Sequence, residues 1–429
     1  MDFILNKKNI FSLLIILFPI ALVTGPLIPE LISFLLLIYF FFNFSSKKSL
    51  KIFKSKIIIF LLLLYFYLLI ISLSKIEISE VLKDQFFYFR YIIFSVAIYF
   101  LVNERVKILN YLGITFLILF LILIFDVFIQ YLFGQNILGM VSSTENRYSG
   151  LFGDELVLGS YLSRFFPFLL GLIYINHSLK YKSQILFLLL IIVPIGVFIT
   201  GERTAFGLTL ITIFLLFIKK DFRKFAFLGI LSILIVLIIL SYFNKSQRYR
   251  IFIEPFHQMS LLSTEFLNKY LDVAIEYSPD TLKTFNIFSS HHHSHYITGI
   301  NIFKDNILFG VGPDQFRKKC NNKKYAFGTD PCSTHPHNIA VQILSETGII
   351  GFFFYMFILF FLLYKIFKAM NQPRYESVKD LEYFIFVTLL INLWPLFPSG
   401  NLFNNWLSYI LYFPVGFYLY LANHKNNHV

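Results

Sequence analysis

Apolar runs of about 20 residues recur along nearly the whole of this chain, and no other feature restricts its fold so tightly. Hydrocarbon cannot solvate unpaired backbone groups, so a run of that kind crosses a bilayer as a helix. Twelve spans are predicted, at roughly 9–25, 27–44, 57–74, 86–102, 108–133, 154–176, 184–200, 204–218, 225–243, 338–364, 380–398 and 402–422. The tenth is long enough to start outside the bilayer. Charged residues make up 14% of the chain, against about 25% in soluble domains. The first stretch reads as an uncleaved helix, because no small-x-small site follows it and a second apolar run comes at once.

The net charge of +13 invites a nucleic-acid reading, but its distribution points to a membrane instead. With the N-terminus in the cytoplasm, the inside segments hold Lys7, Lys8, the cluster from Lys47 to Lys56, Arg105, Lys107, Lys180 and Lys182. They also hold Lys219 to Lys224, Lys365, Lys368, Arg374, Lys379 and Lys425. The short outside loops hold only Lys75, Lys83, Arg147 and Arg203. This asymmetry places both termini in the cytoplasm of a multi-pass membrane protein. Residues 244–337 then form one large periplasmic loop between helices 1–9 (residues 1–243) and helices 10–12 (residues 338–429). Long loops without a role are uncommon, so this one is the expected place for chemistry. The expected fold is all-α, a polytopic membrane helix bundle with a periplasmic helical lid.

The densest polar pattern runs from His335-Pro336-His337-Asn338 to Gly351, where the large loop enters the tenth span. At 100° per residue, Asn338, Gln342, Ser345 and Glu346 share one stripe. A polar stripe at the mouth of a membrane helix faces protein or a water-filled cavity. Gly348 and Gly351 are expected to let a neighbouring helix approach closely. The plainer alternative is that His337 and Asn338 only cap the helix.

His-Asn, nine residues, Gly, two residues, Gly resembles the pattern of the O-antigen ligase and O-antigen polymerase superfamily. Asn306-Ile307-Leu308-Phe309-Gly310-Val311-Gly312-Pro313 looks like that family's upstream segment ending in Gly-Val-Gly. Gly201-Glu202-Arg203-Thr204-Ala205 resembles its outer-loop Arg-Thr/Ser element, and Arg147-Tyr148-Ser149-Gly150-Leu151-Phe152-Gly153 its Arg-x-x-Gly-x-Phe loop. The resemblance covers about residues 145–365. Members often carry an Arg shortly before the segment 299–310; here His295 stands at the approximate place, and Arg248 and Arg250 are other candidates for the second cation.

The resemblance implies a fold like that of the multi-spanning glycosyltransferases with lipid-phosphate donors. It also implies en bloc transfer of a glycan from undecaprenyl diphosphate, either to the lipid A-core of lipopolysaccharide or to a second lipid-linked glycan. Such a reaction needs neutralisation of charge on the leaving diphosphate and a base for the attacking hydroxyl. Arginine suits the first, being always charged and forked for phosphate oxygens; Arg203 and Arg147 are the candidates, unless they serve only as interface anchors. Histidine suits the second; His337 is the candidate, oriented by Asn338 or a nearby carboxylate, with His335 the alternative. Glu346 and His335 are expected to line the substrate site.

No metal or other cofactor is expected. The outer loops hold no Asp-x-Asp pair, there is no P-loop, and the run His291-His292-His293-Ser294-His295 reads as a solvated or fold-stabilising loop before a Zn²⁺ site. A periplasmic position makes a Cys320–Cys332 disulfide the expectation. Inside the spans, Arg164 and Asp126 are expected to pair, with diphosphate binding by Arg164 as the sharper alternative, and Asp154 and Glu155 to open the sixth helix. The large loop before the tenth span looks more like the ligase than the polymerase. A lipid-linked glycan transporter or flippase is the rival from another class, though such folds usually show internal repeats with broken helices.

Overall fold

A computed structural model describes residues 7–43, 51–83, 85–144, 146–243, 249, 253–254, 289–370 and 380–425. It is all-helical among these residues, apart from one isolated bridge between Gln135 and Val141. The helices in chain order are α1 (Lys7–Ala21), α2 (Leu27–Asn43), α3 (Lys56–Lys75), α4 (Ile78–Lys83), α5 (Phe89–Glu104), α6 (Ile108–Phe133), α7 (Leu158–Ile175) and α8 (Lys182–Ile199). They continue with α9 (Arg203–Ile218), α10 (Arg223–Phe243), α11 (Ser290–Asp305), α12 (Phe316–Lys319), α13 (Ile339–Met370), α14 (Leu381–Asn392) and α15 (Asn405–Lys425). Six helical stretches, Lys56–Lys75, Ile78–Glu104, Ile108–Phe133, Leu158–Ile175, Lys182–Ile199 and Ile339–Met370, are long and apolar enough to cross a membrane. The chain is a multi-pass membrane protein.

The bundle is built around α7, whose span is 94% buried. It packs against α6, α8, α9 and α14, while α15 packs along α5. Close contact is set by small residues: a Cβ on Gly171 would lie 2.6 Å from the Phe384 Cβ of α14, and one on Gly416 would lie 2.6 Å from the Ile98 Cβ of α5. Without a hydrophobic drive between helices in lipid, this close packing holds the bundle. An apolar cavity of about 380 Å³ opens between α3, α13 and α15, from Lys56 and Phe361 at one end to Leu402 and Phe403 at the other.

Two helix ends and one loop near the site differ from the sequence reading. The sixth span begins at Leu158 rather than residue 154, so Asp154 and Glu155 do not open it. The eleventh stops at Asn392 rather than 398, because Pro395 and Pro398 cannot continue a helix; residues 393–404 form a loop. The histidine run, expected in a loop, forms the first turns of α11.

A fourth difference lies inside α13. Gly348 has φ 66° and ψ −169°, which interrupts the helix. The break frees the carbonyls of Ser345 and Glu346 and the N–H groups of Ile349 and Ile350. All four are taken up by the Gly-Val-Gly segment: Val311 N–H donates to Ser345 O (3.1 Å) and Gly312 N–H to Glu346 O (2.8 Å). In return Ile349 N–H donates to Ile307 O (2.8 Å) and Ile350 N–H to Leu308 O (3.5 Å). Broken backbone near a membrane survives only where protein satisfies it. The expectation that Gly348 admits a helix is therefore corrected: it admits the backbone of a loop. A Cβ there would lie 2.4 Å from the Leu308 carbonyl, and one on Gly310 would lie 2.4 Å from the Glu346 carbonyl carbon. Gly351 does face a helix, through Tyr67 of α3.

An alanine at φ near +66° costs about 1–2 kcal/mol for the left-handed backbone alone, before the overlap with Leu308. Gly139 (φ 79°) has open space where its Cβ would be. Gly348→Ala is thus expected to lose at least twice the stability that Gly139→Ala loses, measured as melting midpoints of the two purified variants in detergent. Equal losses would mean that the loop does not clasp the helix break.

Candidate active site

Two polar groups meet at one end of the bundle. The first gathers the arginines. Tyr148 N–H donates to Thr200 O (3.2 Å), which joins the loop carrying Arg147 to the turn carrying Arg203. Glu202, between them, accepts from the first N–H groups of α7: Gly159 at 2.6 Å and Ser160 at 3.0 Å. An anion at a helix N-terminus is favoured by the helix dipole, and here Glu202 takes the place expected for Asp154 and Glu155. Gly159 is required for this approach, since its Cβ would lie 2.5 Å from Thr200 Oγ1. Burial raises the Glu202 carboxyl to about 7, opposed by Gly159 N–H, Arg147, Ser160 N–H and Arg164. Burial also lowers Arg147 from its usual value, with Glu202 acting against that and Arg203 with it. Arg147 donates to Leu156 O at 3.3 Å, and Arg203 lies 3.6 Å from Glu254.

Arg164 is 3% exposed and does not pair with Asp126. Its Nε donates to Ser160 Oγ (3.0 Å) and its Nη1 to the Asn392 side chain (3.1 Å), which places it under the arginine group. Asp126 is engaged elsewhere: it accepts from Ile137 N–H (3.0 Å) and lies under Gly150, whose Cβ would come 2.9 Å from its Oδ2. The 135–153 loop takes the carboxylate that the sequence reading assigned to Arg164.

The second group is four imidazoles. The His337 ring lies 4.1 Å from that of His335, 5.2 Å from His295 and 5.4 Å from His292. Two come from α11 and two from the approach to α13. His337 has φ 53°, unusual for any residue but glycine. It is held there by Ser399 N–H, which donates to its carbonyl at 2.8 Å. Its Nε2 lies 2.9 Å from Ser333 Oγ. Asn338 does not orient it: its Oδ1 accepts from Val341 N–H (3.1 Å) as the cap of α13, and its Nδ2 donates to Pro395 O (2.8 Å). His335 has one defined tautomer. Its Nε2 lies 2.9 Å from Ser399 O, an acceptor only, so Nε2 carries the hydrogen and Nδ1 accepts from the Thr334 hydroxyl at 2.9 Å.

The two groups adjoin, since Arg203 is among the charges that act on His292. Burial lowers His292 to about 4, with His295 and Arg203 adding to it. Burial lowers His335 to about 4 and His337 to about 3, the latter reinforced by His335, His292 and His295. His295 is also lowered by burial, against the pull of Asp330. All are neutral at pH 7, so each can accept a proton. Among the described residues no three His, Cys, Asp or Glu side chains are arranged to hold a metal ion.

Behind the histidines, the stripe of α13 is buried in protein. Glu346 is 0% exposed; it accepts from Phe316 N–H (3.0 Å) at the start of α12 and from Gln342 (3.0 Å). Gln342 donates to Asn401 (2.6 Å), which donates to Asp314 (2.6 Å). Glu346 therefore ties the lid to the bundle and is not drawn into the histidine group. A disulfide joins Cys320 and Cys332, with Cα atoms 5.0 Å apart. It closes the loop just before Ser333 and His335, a constraint worth about 3 kcal/mol against the unfolded chain. Arg248 and Arg250 lie outside the described residues. Glu202, His292, Ser333 and Ser399 were not anticipated as site residues, although Glu202 stands inside the Gly-Glu-Arg element and His292 inside the histidine run.

The fold and site define a multi-pass, all-helical membrane protein with an arginine group and neutral histidines at one end of its bundle. Residues 186–356 match the family model described as O-antigen ligase. Over that stretch, less than half of its length, the chain is similar to this family. Among curated proteins, none matches the chain.

Acid should loosen the lid. The three imidazoles sit below the free-histidine value of 6.5, so the unfolded chain takes up protons that the folded one refuses as pH falls from about 6.5 toward 4. Their stability is complete above 6.5 and lost on acidification. Glu202, raised to about 7, opposes this, since the folded form holds its proton between about 4.5 and 7, so the histidine contribution is read as a difference between two proteins. From pH 7.5 to 4.5 the melting midpoint of wild type is expected to lose ground to that of His337→Gln. Equal pH dependence of the two midpoints would contradict the neutral cluster.

Proposed function

We propose that the protein transfers a preassembled glycan from undecaprenyl diphosphate to the lipid A-core of lipopolysaccharide, on the periplasmic side of the inner membrane. The observation that carries this reading is the arginine group beside a neutral imidazole, within a chain that holds an O-antigen ligase domain. Arg203 and Arg147 bind the diphosphate oxygens, with Arg164 supporting them from below. A core-sugar hydroxyl attacks the anomeric carbon. The new C–O bond forms as the anomeric C–O bond to phosphate breaks; the diphosphate leaves with the electron pair, and the hydroxyl proton goes to His337.

His337 is a weak base when the site is empty. A bound diphosphate brings negative charge close to its ring, which favours the imidazolium and raises its proton affinity. Burial then does two things. It keeps the ring unprotonated until substrate arrives, and it strengthens the attraction between imidazolium and diphosphate as the proton moves. Glu202 keeps the arginines from repelling one another before the donor binds. The same site serves a polymerase if the attacking hydroxyl belongs to a second lipid-linked glycan.

The test is reconstitution of the purified protein with lipid-linked glycan and lipid A-core, with products resolved on a gel. Wild type is expected to put glycan on the lipid A-core. His337→Ala is expected to lose a factor of about 10²–10⁴ in turnover. Arg203→Lys, which loses the forked contact, is expected to raise the donor KM roughly tenfold. Longer lipid-linked chains would make the protein a polymerase. No product under conditions where a known ligase works would move the reading to a lipid-linked glycan transporter.

A further inference from the structure

A pocket of about 290 Å³ opens beside α12, between the segment that follows α3 and residues 313–318. Its walls include Glu80, Gln85, Pro313, Asp314, Arg317 and Lys318. It adjoins the histidines but is not part of them. Asp314 is bonded to Asn401, and Ser399, two residues earlier, accepts from His335. Two residues span at most about 7 Å. Asp314 and Arg317 are accordingly among the charges that act on His335. The arginine group acts instead on His292.

We propose that this pocket is a saccharide subsite, and that it seats the acceptor sugar on the flank of His337 opposite the diphosphate. The proposal rests on the transferase reading for the word acceptor; the saccharide site itself stands on the pocket. The charges of the pocket balance. Two acids and two bases line the pocket, paired as Glu80 with Lys318 and Asp314 with Arg317 (3.1 Å). A balanced set gives no net pull on a diphosphate, unlike the arginines. It suits neutral hydroxyls, each of which donates to a carboxylate and accepts from a guanidinium or ammonium. One buried acceptor in its wall is unused. Gln85 is 5% exposed, and its Oε1 has no hydrogen-bond partner among the described residues. A buried acceptor left unpaired costs about 1–3 kcal/mol, which a ligand hydroxyl would recover. Ile76 and Pro313 add apolar surface for the C–H face of a ring, and the volume lies at the small end of ligand sites. The apolar cavity of the bundle ends at Leu402 and Phe403, next to Asn401, so a sugar carried on a lipid meets both environments at this junction.

Binding and turnover separate the two claims. Delipidated lipopolysaccharide core oligosaccharide is titrated onto the protein in nanodiscs and followed by saturation-transfer NMR. Wild type is expected to bind, and Gln85→Leu and the more exposed Glu80→Ala to bind at least fivefold more weakly, with unchanged melting midpoints showing that the variants fold. In the reconstituted reaction the same variants are expected to raise the acceptor KM by at least fivefold and to leave the donor KM unchanged. No binding by wild type, or folded variants that bind as wild type does, would overturn the saccharide site. A rise in donor KM alone would overturn its assignment to the acceptor. Wild type that binds the oligosaccharide but transfers nothing would leave the pocket standing and remove the transferase.

Discussion

The exchange of four backbone hydrogen bonds at Gly348 is the constraint on which the rest of the site depends. A helix that stops and restarts near the membrane surface must place two carbonyls and two N–H groups elsewhere. Residues 307–312 supply all four partners, and only glycine at 310 and 348 lets the two backbones come close enough. The clasp fixes the chain that follows α11, so His292 and His295 are carried to a set place over the start of α13. Glu346 then fastens α12 to the same helix through Phe316 N–H. The lid is thus docked by backbone geometry and one buried carboxylate, and the disulfide restrains the strand of chain between them.

Two opposite treatments of charge make the site. On one flank the cations are kept close, with Glu202 and the N-terminus of α7 sharing a small space with Arg147 and Arg164. Buried charges of one sign need such a counter-ion, or a ligand that replaces it. On the other flank charge is kept out. Three imidazoles packed 4.1–5.4 Å from that of His337 would repel it if protonated, and burial already disfavours the charged form. A neutral base beside fixed cations is the arrangement that an anionic leaving group and a weakly acidic hydroxyl together require.

Much of this architecture was legible in the residues, for physical reasons. Long apolar runs leave a chain few choices, so each predicted span corresponds to a helix, within a few residues at most ends. The motif around His337 was visible because polar residues are costly at a membrane boundary. What escaped the reading depended on distant partners. The apolar Trp394, Leu396 and Phe397 carry the predicted eleventh span on to residue 398, although Pro395 and Pro398 mark the break. Ser399 and Asn401 stand in the short predicted connection, but nothing local to them says that they reach His337 and Gln342. Asp126 and Arg164 sit at compatible depths, yet depth says nothing of azimuth, and the backbone of the 135–153 loop claims the carboxylate first. Glu202 was hidden by its neighbour: a cation in a Gly-Glu-Arg turn draws attention from the acid that positions it.

The proposed reaction is a single displacement in which an arginine-bound diphosphate leaves as a hydroxyl attacks from the opposite side, its proton passing to His337. The configuration at the transferred sugar's anomeric carbon tests it most directly. It is read by NMR in the donor phosphate linkage and again in the glycoside product, using one chemically defined donor. Such a displacement inverts that configuration, because the attacking hydroxyl and the departing diphosphate lie on opposite faces of the ring. Retention would mean that the glycan rests covalently on a protein side chain between two displacements. His337 would then not be the base of a direct attack, and the division of the site into two flanks would be wrong.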